Sequence, residues 1–530
     1  MNELGPHPPH PATKCSLAVK KTPLDDALTI HYLRNVNPDL DGVMQLPRLH
    51  QLGQHTLFMG ATGSGKTTAL KLHIKSALCP IRATRFGQTV ERPPYQMNFR
   101  ALIYDAKTDL VPFLASIGFD TDSHVILTNP FDSRSVAWDV SADVDSYPAG
   151  ETFAEILVQN HKGNDSPFWQ TACRDIVAST IHGLNAPQRG ERIRWTFRHL
   201  TEILLDHEHL RAVLERTDNG QACIRYYLDA KADEMRDGIW ATLRNNVKPH
   251  RLAAAAWHKS THSFSFKDWE KGGGIILIGD DYENEEAATR VNNLLVRYAI
   301  RTALGHPGEL HHTTTWFYLD ELKRAGQFPS FSTMLTQGRS KGIRAVLTAQ
   351  GLSTFKAAFD ESDIPEVLNN CAEKCIMQLS EPDDAEWAER LFSSARRMKT
   401  STTRAVEDNK LSYTSSVQEE PKLVARKFYE LKSAQDTNRG LNAYFHMRGG
   451  HHAQSTIPSA WVNEQLQRVS YAKTKPDAFA KRDGNDFIPE PLTLREQRYL
   501  GLDSFSDSDS PPESIHKKRS FKLPPPPKIV

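Results

Sequence analysis

Long hydrophobic runs are missing from this 530-residue sequence. No stretch reaches the roughly 18 apolar residues that a membrane-spanning helix needs, and the segment from Met1 to Cys15 is polar and proline-rich, without the apolar core of an export signal. A soluble, cytoplasmic chain is expected. Cysteine is scarce: Cys15, Cys79, Cys173, Cys223, Cys371 and Cys375 are scattered, which excludes a disulfide-stapled secreted scaffold and suits a reducing compartment. Cys371 and Cys375 stand four apart on an expected helix, but no second Cys or His pair with zinc-ligand spacing lies nearby, so a structural role is expected. Net charge is nearly absent. With 65 Lys and Arg against 64 Asp and Glu, any nucleic-acid surface must be local rather than a property of the whole chain.

The length exceeds one compact core and suggests two to four cooperating units. Residues 1–50 read as an irregular proline-bearing arm. Short apolar runs at His55–Met59, Ala101–Tyr104, His124–Thr128, Gly274–Ile278, Thr315–Leu319, Ile343–Thr348 and Lys374–Leu379 alternate with helical patterns, the signature of a central, mostly parallel sheet in an α/β fold. Strand patterns vanish between 150 and 260, where Thr152–Val158, Trp169–Leu184, Phe197–Leu214 and Cys223–Asn246 have helical spacing. The expected organisation is an arm (1–50), a nucleotide-binding part (51–149), an inserted all-helical unit (150–260), a second nucleotide-binding part (261–472) and a polar, proline-rich disordered tail (473–530).

The sharpest local signal is Gly60-Ala61-Thr62-Gly63-Ser64-Gly65-Lys66-Thr67, placed between an expected strand and an expected helix. Glycines let successive backbone N–H groups turn inward around a triphosphate while the helix presents its positive end. Lys66 is expected to reach the β and γ oxygens of ATP, and Thr67 to hold Mg2+. Trp316-Phe317-Tyr318-Leu319-Asp320-Glu321 ends an apolar strand in two carboxylates, Asp320 suited to the Mg2+ shell and Glu321 to the attacking water. Together the two motifs point to an ATPase. Arg339 lies on the turn Gly338-Arg339-Ser340-Lys341-Gly342, either as an arginine finger for a neighbour's site or as a surface or DNA-backbone arginine, and Gln350 at the next strand's end is placed to sense the γ-phosphate.

The phosphate loop with its approach, His55–Thr67, resembles that of type IV secretion coupling proteins of the TraD/TraG conjugation type. Tyr104-Asp105-Ala106-Lys107-Thr108-Asp109-Leu110 resembles the family's Asp-Pro-Lys-Gly strand end with Ala106 in place of proline. Asn129-Pro130-Phe131-Asp132, Trp138-Asp139, Phe168-Trp169 and the ordered series from Phe317 to Gln350 are also similar, and the resemblance runs from about Leu52 to Pro458. It implies a RecA-like P-loop NTPase domain, an all-helical domain beside it and a homo-hexameric ring. It also implies Arg339 as a trans-acting finger and Gln350 as a coupling glutamine. Single-stranded DNA bound without sequence preference, a relaxase or relaxosome, secreted effectors and type IV secretion channel subunits are the implied partners. The usual N-terminal membrane helices of the family have no counterpart in residues 1–50, so attachment at the inner membrane is expected to go through partner subunits.

Arg82, Arg85, Arg92, Lys248, Arg251 and Lys259 are candidates for gripping a DNA backbone, though a solvated charged face is the more ordinary role for each. Two rivals stand beside the coupling-protein reading. One is a DNA translocase or helicase without a channel, and the other a nucleotide-gated cargo adaptor, against which the Asp320-Glu321 pair argues.

Overall fold

The computed structural model of the chain describes residues 55–78, 99–119, 124–158, 167–188, 190–305, 314–322, 329–392, 394–404, 411–421, 423–434, 440–447, 451–457, 459–466 and 476–502, with the short segments 36–37, 81–85, 88–92 and 519–520. Among the described residues seventeen strands follow in chain order: β1 (Val36–Asn37), β2 (Thr56–Met59), β3 (Ile81–Arg85), β4 (Gln88–Arg92), β5 (Phe99–Asp105), β6 (Val125–Leu127), β7 (Ala137–Trp138), β8 (His262–Phe264), β9 (Gly274–Gly279), β10 (Thr314–Leu319), β11 (Ile343–Ala349), β12 (Glu373–Ile376), β13 (Ser394–Arg404), β14 (Leu411–Pro421), β15 (Leu441–Met447), β16 (His451–Ile457) and β17 (Arg519–Ser520). Ten of them form one sheet in the order β1-β16-β15-β12-β2-β11-β10-β5-β9-β6. From β12 to β6 every pairing is parallel, and the β15, β16 and β1 edge is antiparallel. All seven expected strands lie in the parallel part.

These strands are continuous apolar runs because both sheet faces are covered. Alternate residues go to opposite sides: Phe58, Ile103, Ile275, Leu277, Trp316 and Val346 belong to one buried cluster, and Leu57, Leu102, Ile276, Ile278, Phe317 and Leu347 to the other. The first face is covered by the helix Lys66–Leu78 and by Leu110–Ser116. Packing on the second continues without a break into the helices between β7 and β8.

Those helices are Val140–Asp143, Tyr147–Leu157, Pro167–Asn185, Phe197–Leu205, His207–Leu214, Asp218–Cys223, Asp233–Val247 and Arg251–Lys259, with a π turn at Ile224–Leu228 and a 3-10 turn at Lys248–His250. The helix expected over Phe197–Leu214 is two helices. Asp206 is extended, ends the first, and caps the second by accepting the Glu208 and His209 N–H groups at 3.0 and 2.9 Å. Cys371 and Cys375 do not share a helix. Cys371 follows the helix Ile364–Asn370, whereas Cys375 lies within β12, and the two are buried in clusters on opposite sheet faces, which rules out a shared metal.

The expectation of a disordered tail from 473 onward is corrected over residues 476–502, which lie along the helical unit. Leu492 and Leu500 are buried in its core. The Arg198 guanidinium pairs with Glu496 at 2.5 Å and also donates to the Glu490 and Pro491 carbonyls, while Arg216 donates to the Leu500 carbonyl at 2.7 Å. At its start the same segment bridges Asp132 through Lys481 and stacks Phe487 near Phe131. Its order comes from partners some 300 residues away in sequence, which a polar composition does not reveal. The arm 1–50 apart from β1, and the tail beyond 502 apart from β17, lie outside the described residues. Among the described residues no helix is long and apolar enough to cross a membrane.

Candidate nucleotide site

The C-terminal ends of the parallel strands share one edge, and there β2 runs into the loop 60–65 and the helix Lys66–Leu78. The loop is tied to both neighbouring strand ends: Gly60 N–H donates to the Ala349 carbonyl at 3.1 Å and Ala61 N–H to the Gln378 carbonyl at 2.7 Å. All three of its glycines are called for by geometry, Gly63 by its φ of +79°. Gly65 has φ +110° and a Cβ there would lie 2.5 Å from a Leu441 methyl, while a Cβ on Gly60 would lie 2.6 Å from Ser64 Oγ. Lys66 Nζ donates to the Gly60 and Ala61 carbonyls at 2.6 and 3.0 Å, inside the curve of the loop. Its pKa is lowered to about 8, by burial first and by the Lys107 ammonium second, with Asp320 and Glu321 opposing the shift.

Asp320 and Glu321 end β10 beside this loop. Thr348 at the end of β11 holds both: its hydroxyl donates to Asp320 Oδ1 at 3.0 Å and accepts the Glu321 N–H at 2.8 Å. Asp320 Oδ2 is buried without a hydrogen-bond partner. Burial raises the Asp320 pKa, with the Lys107 charge as the main opposing influence. Glu321 adopts φ +63°, a left-handed conformation rare outside glycine, and accepts from Gln350 Nε2 at 3.3 Å. A threonine hydroxyl and a buried carboxylate with an unpartnered oxygen form an all-oxygen set that fits Mg2+, and the glycine loop with Lys66 fits a nucleotide's phosphates.

Residues 60–67, Asp320, Glu321 and Gln350 therefore come together. Arg339 does not join them. It is exposed on the 3-10 turn Gly338–Lys341 before β11, whereas Gln350 follows the same strand. Seven residues at about 3.3 Å each put roughly 20 Å between the two ends, so Arg339 stands at the opposite edge of the sheet from its own phosphate loop. His55 fixes that far edge to β2: Nε2–H donates to the Leu335 carbonyl at 2.9 Å and Nδ1 accepts the Ala345 N–H at 2.9 Å, a pattern of the neutral ring, and burial lowers its pKa to about 4.

Two residues at this edge escaped the motif reading. Thr348 gave no signal beyond a hydroxyl near a strand end. Lys107, whose Nζ donates to Thr67 Oγ1 at 3.1 Å, sits inside the segment Tyr104–Leu110 and was legible only as part of a resemblance. Of the candidate DNA contacts, Arg251 donates two hydrogen bonds to the Glu202 carboxylate at 2.9 and 2.7 Å within the helical unit, and Lys259 pairs at the surface with Glu490 of the 476–502 segment at 3.5 Å. Lys248 begins a 3-10 turn, and the side chains of Arg82, Arg85 and Arg92 lie outside the described residues.

The chain matches the family described as "Type IV secretion-system coupling protein DNA-binding domain" over residues 44–435. No curated protein sequence matches it. Its fold is similar to the bacterial conjugative coupling protein TrwBdeltaN70 in an unbound form, with 18% identity, TM-score 0.59 and coverage of 81% of this chain and 88% of that one. It is similar also to TrwB in complex with ADP and Mg2+ (18%, 0.58, 81% and 88%) and with a non-hydrolysable ATP analogue (19%, 0.59, 82% and 91%). At such identities the likeness shows the fold alone, a RecA-like P-loop fold. The family match spans well over half of the 530 residues, and the chain belongs to the type IV secretion-system coupling proteins.

Proposed function

We propose that this protein is an ATP-driven coupling ATPase that recruits relaxase-bound single-stranded DNA, or protein substrates, and delivers them to a type IV secretion channel. The observation that carries this reading is the meeting of Lys66, Thr67, Asp320, Glu321 and Gln350 at one sheet edge while Arg339 is held about one strand length away. Bound Mg·ATP supplies the phosphoanhydride and the charge that offsets its phosphates. Lys66 and the loop N–H groups bind the phosphates, Thr67 and Asp320 hold the metal, and Glu321 orients the attacking water and takes its proton. Gln350 touches Glu321 directly, so a change at the base is passed to β11, whose other end carries Arg339. In a head-to-tail homo-hexameric ring, that arginine serves the neighbouring subunit's site.

DNA is expected to stimulate ATP hydrolysis, with specific activity rising with protein concentration as subunits assemble. Activity that is flat across both titrations would favour a nucleotide-gated adaptor and contradict the proposal.

A further inference from the structure

Lys107 is the unexplained group at the nucleotide edge. It is exposed, it lies on the turn between β5 and the helix Leu110–Ser116, and it reaches across to donate to Thr67 Oγ1 at 3.1 Å, the hydroxyl assigned to the metal. Its charge acts on Lys66 and on Asp320. Two ammonium groups thus converge on one short loop, offset by the Asp320 and Glu321 carboxylates; a metal ion engaging Asp320 would remove part of that offset and leave a repulsion that an anion between the lysines would relieve.

The turn that aims Lys107 is built against local preference. Among the described residues only Thr108 and Glu321 adopt positive φ without being glycine, at +52° and +63°, and they follow the ends of the adjacent strands β5 and β10. Thr108 is fixed there by its N–H to the Asp105 carbonyl at 3.3 Å, and the Asp105 carboxylate accepts the Leu110 N–H at 2.7 Å, closing the turn. Gly279 on β9 leaves the room: a Cβ would lie 3.1 Å from the Asp105 carbonyl oxygen and 3.3 Å from Thr108 Cγ2. Strain of this kind persists where surrounding contacts over-determine it, and it clusters at functional sites. An incidental bond from an exposed lysine to a hydroxyl stabilises little and would not need such a turn.

We infer that Lys107 is a second phosphate-site cation, a positioning residue that distinguishes nucleoside triphosphate from diphosphate; this rests on the nucleotide reading of the 60–67 loop. With Mg2+ held at Thr67 Oγ1, the Lys107 ammonium would leave that oxygen, because ammonium and dication repel. The strained turn keeps it beside the loop, where a terminal phosphate offers the added negative charge that a diphosphate lacks.

The test is equilibrium binding of fluorescent ADP and of a fluorescent non-hydrolysable ATP analogue, both with Mg2+, to the full chain and to Lys107→Met and Lys107→Arg. The ATP analogue is expected to bind Lys107→Met about tenfold more weakly while ADP affinity stays within about twofold, with Lys107→Arg near the wild type. Unchanged ratios, or equal losses for both nucleotides, would overturn the role of Lys107 while leaving the nucleotide site standing. A wild-type chain that binds neither nucleotide would overturn both, as would loss of both by Lys66→Ala failing to appear. Should Lys107→Met fail to fold, the same ratio read on Lys107→Arg and Lys107→Gln decides: retention in the first and loss in the second supports the role, and equal behaviour refutes it.

Discussion

The nucleotide edge of the sheet and the segment 476–502 are both ordered, but they are held by opposite means. At the nucleotide edge each functional side chain sits within a few residues of a strand end, so register and parallel pairing deliver Lys66, Asp320, Glu321 and Gln350 to one place. The 476–502 segment carries only a 3-10 turn at Gly484–Phe487 and a short helix at Leu494–Tyr499. Its position comes from Arg198, Arg216 and Asp132 reaching it across the chain, and from a few buried anchors such as Leu500. The proposed chemistry depends on the first arrangement, and the second lays the 476–502 segment along the helical unit, which already shares a core with the sheet.

That contrast can be broken from either side. The largest effect is expected at Lys66→Ala, which should abolish nucleotide turnover with little change in melting temperature, because the helix and its packing do not depend on the half-buried ammonium; steady-state hydrolysis beside a thermal melt checks it, and unchanged turnover would sink the site assignment. Next, Glu321→Gln should lower hydrolysis by about 100-fold or more while nucleotide affinity is retained, checked by pairing single-turnover rates with equilibrium binding.

Glu496→Ala should act the other way. It strips the partner from a guanidinium only 3% exposed and should destabilise the chain by about 3 kcal/mol, while nucleotide affinity of the folded fraction stays as in the wild type. Chemical denaturation beside nucleotide binding reads both; a loss of affinity without a loss of stability would erase the division between the two regions.

The smallest effect is that of pH. His55 is neutral when folded and its pKa is depressed, so no stability difference arises from it above the unfolded value of 6.5, and stability falls as pH drops from there towards about 4, where the unfolded ring takes a proton that the folded one refuses. His55→Gln, which keeps a donor and an acceptor without titrating, should flatten part of that decline in melting temperature; an unaltered slope would mean that other groups carry it.

Legibility in the sequence followed the same line. The phosphate loop and the Asp320-Glu321 strand end are contiguous patterns whose chemistry dictates residue type and spacing, so they could be read directly, and the strands announced themselves as short apolar runs. Asp206 broke an apparently continuous helix because a side chain that caps scores as tolerable in the middle of an amphipathic pattern. Lys107 and Thr348 resisted because their parts depend on which strand ends become neighbours. Arg339 was legible as a candidate, yet only the strand between it and Gln350 shows that it cannot serve its own loop.

That separation is the centre of the account, and mixing subunits tests it most directly. Arg339→Ala and Glu321→Gln chains, each impaired alone, should together recover ATP hydrolysis, because some interfaces then combine an intact base with an intact arginine from the next subunit. Mixtures no more active than the two variants measured separately would contradict a site completed between copies of this chain.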